Sequence, residues 1–177
     1  GRTGRAFMRA LSERQYQAGK AIEVTAPIEA SLKGWLRILK HGQPRPFLKR
    51  VGGAADVVIF TDGSTDREGA DPTIGGVSFM WWNEAPMAFS APVPKGLIEA
   101  WLPTGNAITL IEIFAAVAAI DYHGPELVGK RVMMMIDSET ALDALVKGYS
   151  KVEDVALIAT VFWELVSRHQ IHVFLDR

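Results

Sequence analysis

The feature that most constrains this chain is a pair of short, continuously apolar segments, residues 57–61 and 132–136. Runs of four to eight such residues that end in turn-forming residues are typical of strands buried in the middle of a sheet. The segment between them includes residues 108–122, whose apolar residues recur at helical spacing. A helix between two strands usually returns the second strand parallel to the first. The sequence therefore predicts an α/β fold with two buried, parallel central strands.

Three more strands and two more helices complete this prediction. Alternating or continuous apolar patterns predict strands at residues 74–82, 86–91 and 171–175, helices at 139–146 and 152–168, and a loop reaching about residue 106. The resulting order is β-β-β-α-β-α-α-β. An antiparallel meander of three strands, followed by two strands added in parallel through helices, gives a mixed five-stranded sheet.

The first 50 residues differ from the rest in charge and texture. Residues 1–50 carry 11 Lys/Arg against 3 Asp/Glu, a net of +8, whereas residues 51–177 carry 8 against 17, a net of −9. We predict a basic helical arm over 1–50, with helices at 5–19 and from Thr25 to Gly42, and an α/β domain over 56–177. The basic arm is compatible with nucleic-acid contact or with simple attraction to the acidic domain. Two amphipathic helices must bury their apolar faces on the domain or on a partner.

Composition excludes several classes of protein. The chain has no cysteine, which excludes disulfides and thiolate metal sites. No apolar run reaches the roughly 18 residues of a membrane-spanning helix. No secretory signal opens the chain, so we expect no membrane span and an intracellular location, with the compartment left open. The chain starts without Met, and we expect a fragment of a longer protein or a processed product.

Three carboxylates are placed to meet at one edge of the predicted sheet. Asp62 and Asp137 directly follow the two central strands, and parallel strands present their carboxyl ends at the same edge. Glu112 lies one turn into the crossover helix within an apolar stretch, where a lone carboxylate costs several kcal/mol to bury. Clustered carboxylates repel one another unless a cation lies among them, and hard oxygen ligands suit Mg²⁺. The sequence thus predicts a divalent-metal site.

Each carboxylate also has an ordinary structural interpretation. Asp62 precedes Gly63 and could simply form a turn. Glu112 could pair with a Lys or Arg on the helix surface. Asp137 could cap the next helix with Ser138 in its first turn, which is compatible with metal binding.

The motifs as a set resemble a known family. Asp62-Gly63-Ser64 after an apolar strand, Glu112 in an Ile-Glu-Ile-Phe-Ala-Ala helix, and Asp137-Ser138-Glu139 after the fourth strand resemble the ribonuclease H-like fold over about residues 56–177. More narrowly, the chain resembles the ribonuclease H-like segment behind the reverse transcriptases of retroelements. Residues 1–7 and the helix containing Trp35 are similar to the stretch that joins polymerase to nuclease in such elements.

This resemblance implies a function and a set of site residues. It implies Mg²⁺- or Mn²⁺-dependent cleavage of the RNA strand of an RNA–DNA hybrid, with Asp62, Glu112 and Asp137 as metal ligands. Gly63 and Ser64 would lie near the bound strand, and we assign Asn106 and Ser138 to substrate binding. The implied partners are an RNA–DNA hybrid or another nucleic acid, and the polymerase portion of the same polyprotein or a larger assembly.

One departure from the family leaves a second function open. The family supplies a fourth acidic residue after the last strand, often with a His before it, whereas this chain stops at Leu175-Asp176-Arg177. We expect a domain truncated at its C-terminus, and hydrolase activity if the fourth ligand is supplied. The alternative is an inactive ribonuclease H-like fold that serves as a structural or nucleic-acid-binding subunit. An integrase-like transferase fits less well, because such enzymes place their Glu late in the chain.

Overall fold

A computed structural model describes residues 2–5, 7–16, 23–41, 54–65, 71–101 and 107–177. Within them the helices are α1 (Arg2–Arg5), α2 (Arg9–Arg14), α3 (Ala26–His41), α4 (Lys95–Trp101), α5 (Ala107–His123), α6 (Glu139–Lys147) and α7 (Glu153–Arg168). The strands are β1 (Val57–Ser64), β2 (Thr73–Met80), β3 (Met87–Pro92), β4 (Arg131–Ile136) and β5 (His172–Asp176). No helix among these residues is long and apolar enough to cross a membrane.

The strands form one mixed sheet in the order β3-β2-β1-β4-β5. Strand β1 pairs antiparallel with β2, which pairs antiparallel with β3. Strand β4 pairs parallel with β1, and β5 pairs parallel with β4. The predicted fold class is confirmed: an α/β ribonuclease H-like sheet of three antiparallel strands with two parallel additions through helices, preceded by a helical arm. The last strand, β5, flanks the fourth.

The core lies on one face of the sheet. Helix α5 packs across β1, β2 and β4, while α7 packs on α5 and α6. Alternate strand residues face these helices, and Ile59 and Met134 are fully buried. Helix α5 is apolar nearly all round because it is covered by the sheet on one side and by α7 on the other.

The opposite face of the sheet is open among the described residues. Phe60 and Phe79 are each 47% exposed, and Phe174 is 39% exposed. The first two rings make an edge-to-face contact with centroids 6.0 Å apart. The two predicted central strands, β1 and β4, do lie inside the sheet, but helices bury only one of their faces. A continuous apolar run indicates that both faces of a strand are hydrophobic. It does not indicate whether another element covers the second face.

The N-terminal arm docks on the domain through its own short helices. The predicted single helix over 5–19 is wrong: α1 and α2 are separated by a turn in which the backbone N–H of Met8 donates to the carbonyl of Arg5 at 3.0 Å. The turn directs Phe7 onto Gly34 of α3, and Phe7 is only 3% exposed. The stabilisation gained by burying this ring offsets the stabilisation lost where the helix is interrupted. Residues 17–19 lie outside the described part of the chain.

Two polar contacts tie the arm to the domain. The Arg9 guanidinium donates to the carbonyls of Ser150 at 2.6 Å and Lys151 at 3.3 Å, at the turn between α6 and α7. Arg37 on α3 forms an ion pair with Glu164 on α7 at 3.0 Å. The arm therefore covers the outer side of α7, opposite to the side that packs on α5.

One helix lies where a loop was predicted. Helix α4 begins after Pro94, whose carbonyl accepts hydrogen bonds from the backbone N–H groups of Leu97 and Ile98. Trp101 at its end is 8% exposed and packs edge-to-face on Phe114 at 5.9 Å. Seven residues show too little periodicity to predict a helix. The helix is stabilised by burial of the Trp101 ring against α5.

Candidate metal centre

Strands β1 and β4 bring Asp62 and Asp137 side by side. In their parallel register Thr61 lies opposite Ile136, so the two Asp residues occupy the next position on neighbouring strands. Thr61 and Gly63 point toward the helices and are buried, whereas Asp62 is exposed. Side chains alternate along a strand, so the Asp62 carboxylate faces away from the core. Asp137 is likewise exposed.

Glu112 reaches the same edge from α5. It is 5% exposed and lies in the second turn of the helix. The backbone N–H of Gly63 donates a hydrogen bond to its carboxylate. A Cβ atom on Gly63 would lie 2.9 Å from the Glu112 backbone nitrogen and 3.0 Å from the Ile111 carbonyl carbon. Glycine at position 63 therefore allows the close approach of β1 to α5 that places Glu112 at the edge.

The three carboxylates form a compact cluster. One carboxylate oxygen from each of Asp62, Glu112 and Asp137 lies within 4.8 Å of the others. Burial, followed by repulsion from Asp62 and Asp137, raises the pKa of Glu112 to about 7, and the Gly63 hydrogen bond opposes this rise. This cluster thus concentrates negative charge and keeps part of it out of water.

The residues present fit a divalent cation. Oε2 of Glu112 is buried and has no hydrogen-bond partner among the described residues. A buried carboxylate oxygen without a partner is costly, and a bound cation would satisfy it. The three ligands are all hard oxygen donors, which suit Mg²⁺ or Mn²⁺. Asp62, Glu112 and Asp137 would hold the ion.

Ser138 is the cap of helix α6. Its backbone is extended, and its hydroxyl accepts a hydrogen bond from the backbone N–H of Ala141 at 3.3 Å. The interpretation of Asp137 as the cap is therefore wrong, because the helix begins one residue later than that interpretation requires. The capping role falls to Ser138, and the Asp137 carboxylate is available to the cluster.

The other predicted site residues lie outside the carboxylate cluster or outside the described part of the chain. Gly63 is buried against α5 and Ser64 is half-buried at the end of β1, while Asn106 lies outside the described residues. Asp176 lies on β5 opposite Met135 and is not part of the carboxylate cluster. The assignments of Gly63, Ser64, Asn106 and Ser138 to substrate binding stay predictions.

A buried polar pair, His123 and Ser78, was not predicted from the sequence. His123, 2% exposed, places Nε2 3.1 Å from Oγ of Ser78, which in turn donates to the carbonyl of Met87 at 3.3 Å. Burial lowers the pKa of His123. It lies eleven residues after Glu112, about 16 Å along α5, and so belongs to the packing of β2 on α5 rather than to the metal centre. A His at the end of an apolar helix was the available signal.

Comparisons with known proteins find distant structural similarity and no match in sequence. The sequence matches no protein-family model and no curated protein. Among solved structures, the N-terminal ribonuclease H domain of a Mycobacterium tuberculosis protein, solved as a fusion with maltose-binding protein, is 15% identical with a TM-score of 0.48; the match covers 70% of this chain and 80% of that one. Ribonuclease H1 from the halophilic archaeon Halobacterium salinarum is 11% identical with a TM-score of 0.47, covering 68% and 83%. Similarity this low carries no argument about activity.

Proposed function

We propose that this chain is a Mg²⁺- or Mn²⁺-dependent nuclease domain that hydrolyses the RNA strand of RNA–DNA hybrids, and that it belongs to a reverse-transcriptase polyprotein. The observation that carries the proposal is the cluster of Asp62, Glu112 and Asp137, with its buried and unsatisfied Glu112 oxygen. A divalent ion, when bound, supplies Lewis acidity toward a phosphodiester and lowers the pKa of a bound water.

The chain's own residues prepare the cluster for this role. The Gly63 N–H orients the Glu112 carboxylate, and the Ser138 cap fixes the start of α6 directly after Asp137. Because the pKa of Glu112 is about 7, this carboxyl carries a proton part of the time near neutral pH in the metal-free protein. A bound cation would displace that proton. Metal affinity should therefore rise as the pH increases through about 7.

The test is calorimetric titration of Mg²⁺ into the chain and into two matched variants. Asp62→Asn removes one predicted ligand, whereas Asp121→Asn makes the same change at an exposed position at the other end of α5. We expect Asp121→Asn to bind Mg²⁺ as the parent does. We expect Asp62→Asn to lose about tenfold to hundredfold in affinity or more, because even the loss of a residue that only hydrogen-bonds to a metal ligand has an effect of that size. Absence of binding in the parent, or equal binding by Asp62→Asn, would contradict the proposal.

Hybrid cleavage is then measured on the full-length protein that contains this chain. We expect Mg²⁺-dependent cleavage of the RNA strand, removed by Asp62→Asn and retained in Asp121→Asn. Cleavage that persists in Asp62→Asn would place the activity elsewhere in the protein.

The alternative is an inactive ribonuclease H-like fold that acts as a structural subunit. One observation favours it: α3 of the arm exposes Leu32, Leu36 and Leu39 after it has docked on the domain. This alternative predicts no Mg²⁺ binding, so the same titration distinguishes the two.

A further inference from the structure

One face of helix α3 packs on the α1 segment of the arm, and an apolar stripe lies beside it. The packed face contains Ser31, which is 7% exposed, Gly34, which accommodates Phe7, and Trp35, whose ring contacts Gly4. A neighbouring stripe consists of Leu32, Leu36 and Leu39, with exposures of 49%, 50% and 76%.

The leucine stripe is regular enough to be a helix-packing surface. Spacings of four and three residues place the three side chains in one row along the helix. Isolated exposed leucines are common and need no explanation, but a contiguous row at helix-packing spacing is typical of a contact surface. No described element of the chain covers this row, because α3 contacts α1, α2 and Glu164 of α7 through its other sides.

Charges beside the stripe differ in sign at its two ends. Glu29 lies on the solvent side of the row near the start of α3, and Lys40 lies on the same side near its end. Lys33 between them already forms an i,i+4 ion pair with Glu29 at 2.6 Å, and both of those side chains are more than half exposed. A pair this exposed is worth little and can rearrange. An antiparallel copy of the same helix would place an acidic end beside a basic one.

We propose that α3 is the contact surface for a second copy of this chain. The two helices pack antiparallel about a two-fold axis that lies level with Trp35 along the helix. In this arrangement Glu29 of one copy lies within about one helical residue, or about 1.5 Å of rise, of Lys40 of the other. The leucine rows of the two helices interdigitate, and the helix dipoles oppose each other. Such a contact is isologous, so every favourable pair occurs twice.

The size of the stripe sets the expected strength. Three leucines and their flanking charges cover less than the roughly 1,200–2,000 Å² of a standard interface. We therefore expect a weak, concentration-dependent dimer rather than a permanent one. The proposal does not rest on the nuclease activity, since the stripe lies on the arm and the carboxylate cluster lies at the sheet edge.

The first test is sedimentation velocity over a concentration series, with the full chain and two leucine variants. We expect a monomer–dimer equilibrium in the parent, its loss in Leu36→Glu, and its retention in Leu157→Glu. Leu157 is a matched control because it is 65% exposed on α7. Circular dichroism confirms that each variant is folded. A parent that stays monomeric at every concentration would overturn the proposal, as would a dimer that survives Leu36→Glu.

The second test is a charge exchange, which distinguishes this dimer from non-specific association. Glu29→Lys and Lys40→Glu should each weaken the dimer by about tenfold, because each places like charges opposite one another twice. The double variant should restore it. Failure of the double variant to restore the dimer would exclude the antiparallel register. Loss of the dimer in Phe79→Ser instead would assign it to the open face of the sheet and refute the proposal.

Mg²⁺ titration of Leu36→Glu keeps the two proposals separate. We expect unchanged Mg²⁺ affinity in this variant, so that loss of the dimer and loss of the metal site can be recognised independently.

Discussion

At the scale of single residues, Glu112 carries the strongest electrostatic signature in the described part of the chain. Its pKa is raised from 4.5 to about 7 by burial and by Asp62 and Asp137. In the metal-free protein, the folded state therefore binds more protons than the unfolded state between these two pH values. By linkage, the free energy of unfolding falls as the pH rises from about 4.5 to about 7.

The variant Glu112→Gln should remove this pH dependence, because the amide does not ionise. We expect the metal-free variant to gain stability relative to the parent as the pH rises through about 7. Urea unfolding in the presence of a chelator, at a series of pH values, measures the difference. The Glu139→Gln variant is the control, because Glu139 is exposed at the start of α6. A parent whose stability rises over this range relative to Glu112→Gln would contradict the sign.

Gly63 is the second decisive residue, and its role is steric. In Gly63→Ala the new methyl group would meet backbone atoms of Ile111 and Glu112 at 2.9–3.0 Å, and backbone cannot move aside cheaply. We expect a loss of about 1–3 kcal/mol in the free energy of unfolding, together with weaker Mg²⁺ binding. Gly75→Ala is the matched control on the neighbouring strand, where the nearest atom is the Phe89 carbonyl oxygen at 3.5 Å, an ordinary contact. Equal stability losses in both variants would refute the steric explanation.

At the scale of secondary-structure elements, the packing of α3 on the turn between α1 and α2 depends on the fit of Phe7 against Gly34. A Cβ atom on Gly34 would collide with the Phe7 ring, and Phe7 is buried. The links from the arm to the rest of the chain are polar: the Arg9 hydrogen bonds and the Arg37–Glu164 ion pair, which lie at or near the surface. The Phe7–Gly34 contact should therefore determine whether α3 stays packed on α1 and α2.

Gly34→Ala should separate α3 from the turn between α1 and α2 without unfolding the sheet. We expect amide hydrogen exchange in α2 and α3 to accelerate, while exchange in β1 and β4 stays slow. Gly96→Ala is the matched control: Gly96 is also a helical glycine, but a Cβ atom added there would have no neighbouring atom within 4 Å. That variant should leave α3 packed on α1 and α2, and should gain up to about 1 kcal/mol in stability from helix propensity. Unchanged exchange in Gly34→Ala would show that α3 is held against α1 and α2 by other contacts.

At the scale of the whole molecule, the core is one-sided. Helices α5 and α7 provide the second and third layers on one face of the sheet, where Phe162 is fully buried. The other face carries Phe60, Phe79 and Phe174 at intermediate to high exposure. Equal side chains should therefore contribute very differently to stability.

Comparison of Phe162→Ala with Phe79→Ala tests this asymmetry. Truncation of Phe162 should cost about 3–5 kcal/mol, because it removes a fully buried ring and leaves a cavity. Truncation of Phe79, which is 47% exposed, should cost about 1 kcal/mol, a typical value for a single substitution. Chemical denaturation of both variants gives the two values. Similar costs would mean that the open face is covered in solution.

The sequence by itself determined the order of the five strands and of helices α5, α6 and α7, and the edge at which the three carboxylates meet. Local apolar runs identify β1 and β4, the helical spacing between them identifies α5, and the rule for parallel crossovers places Asp62 and Asp137 together. These signals are local or follow from general chain geometry, so no knowledge of side-chain packing is needed.

Only the tertiary structure decided how those elements fit and what remains uncovered. The contact of Gly63 with Glu112, the insertion of Phe7 at Gly34 and the His123–Ser78 pair each join residues far apart in the chain. The open face of the sheet is equally invisible in the apolar pattern of β1. Such features depend on shape complementarity between distant segments, which packing selects and which no local pattern encodes.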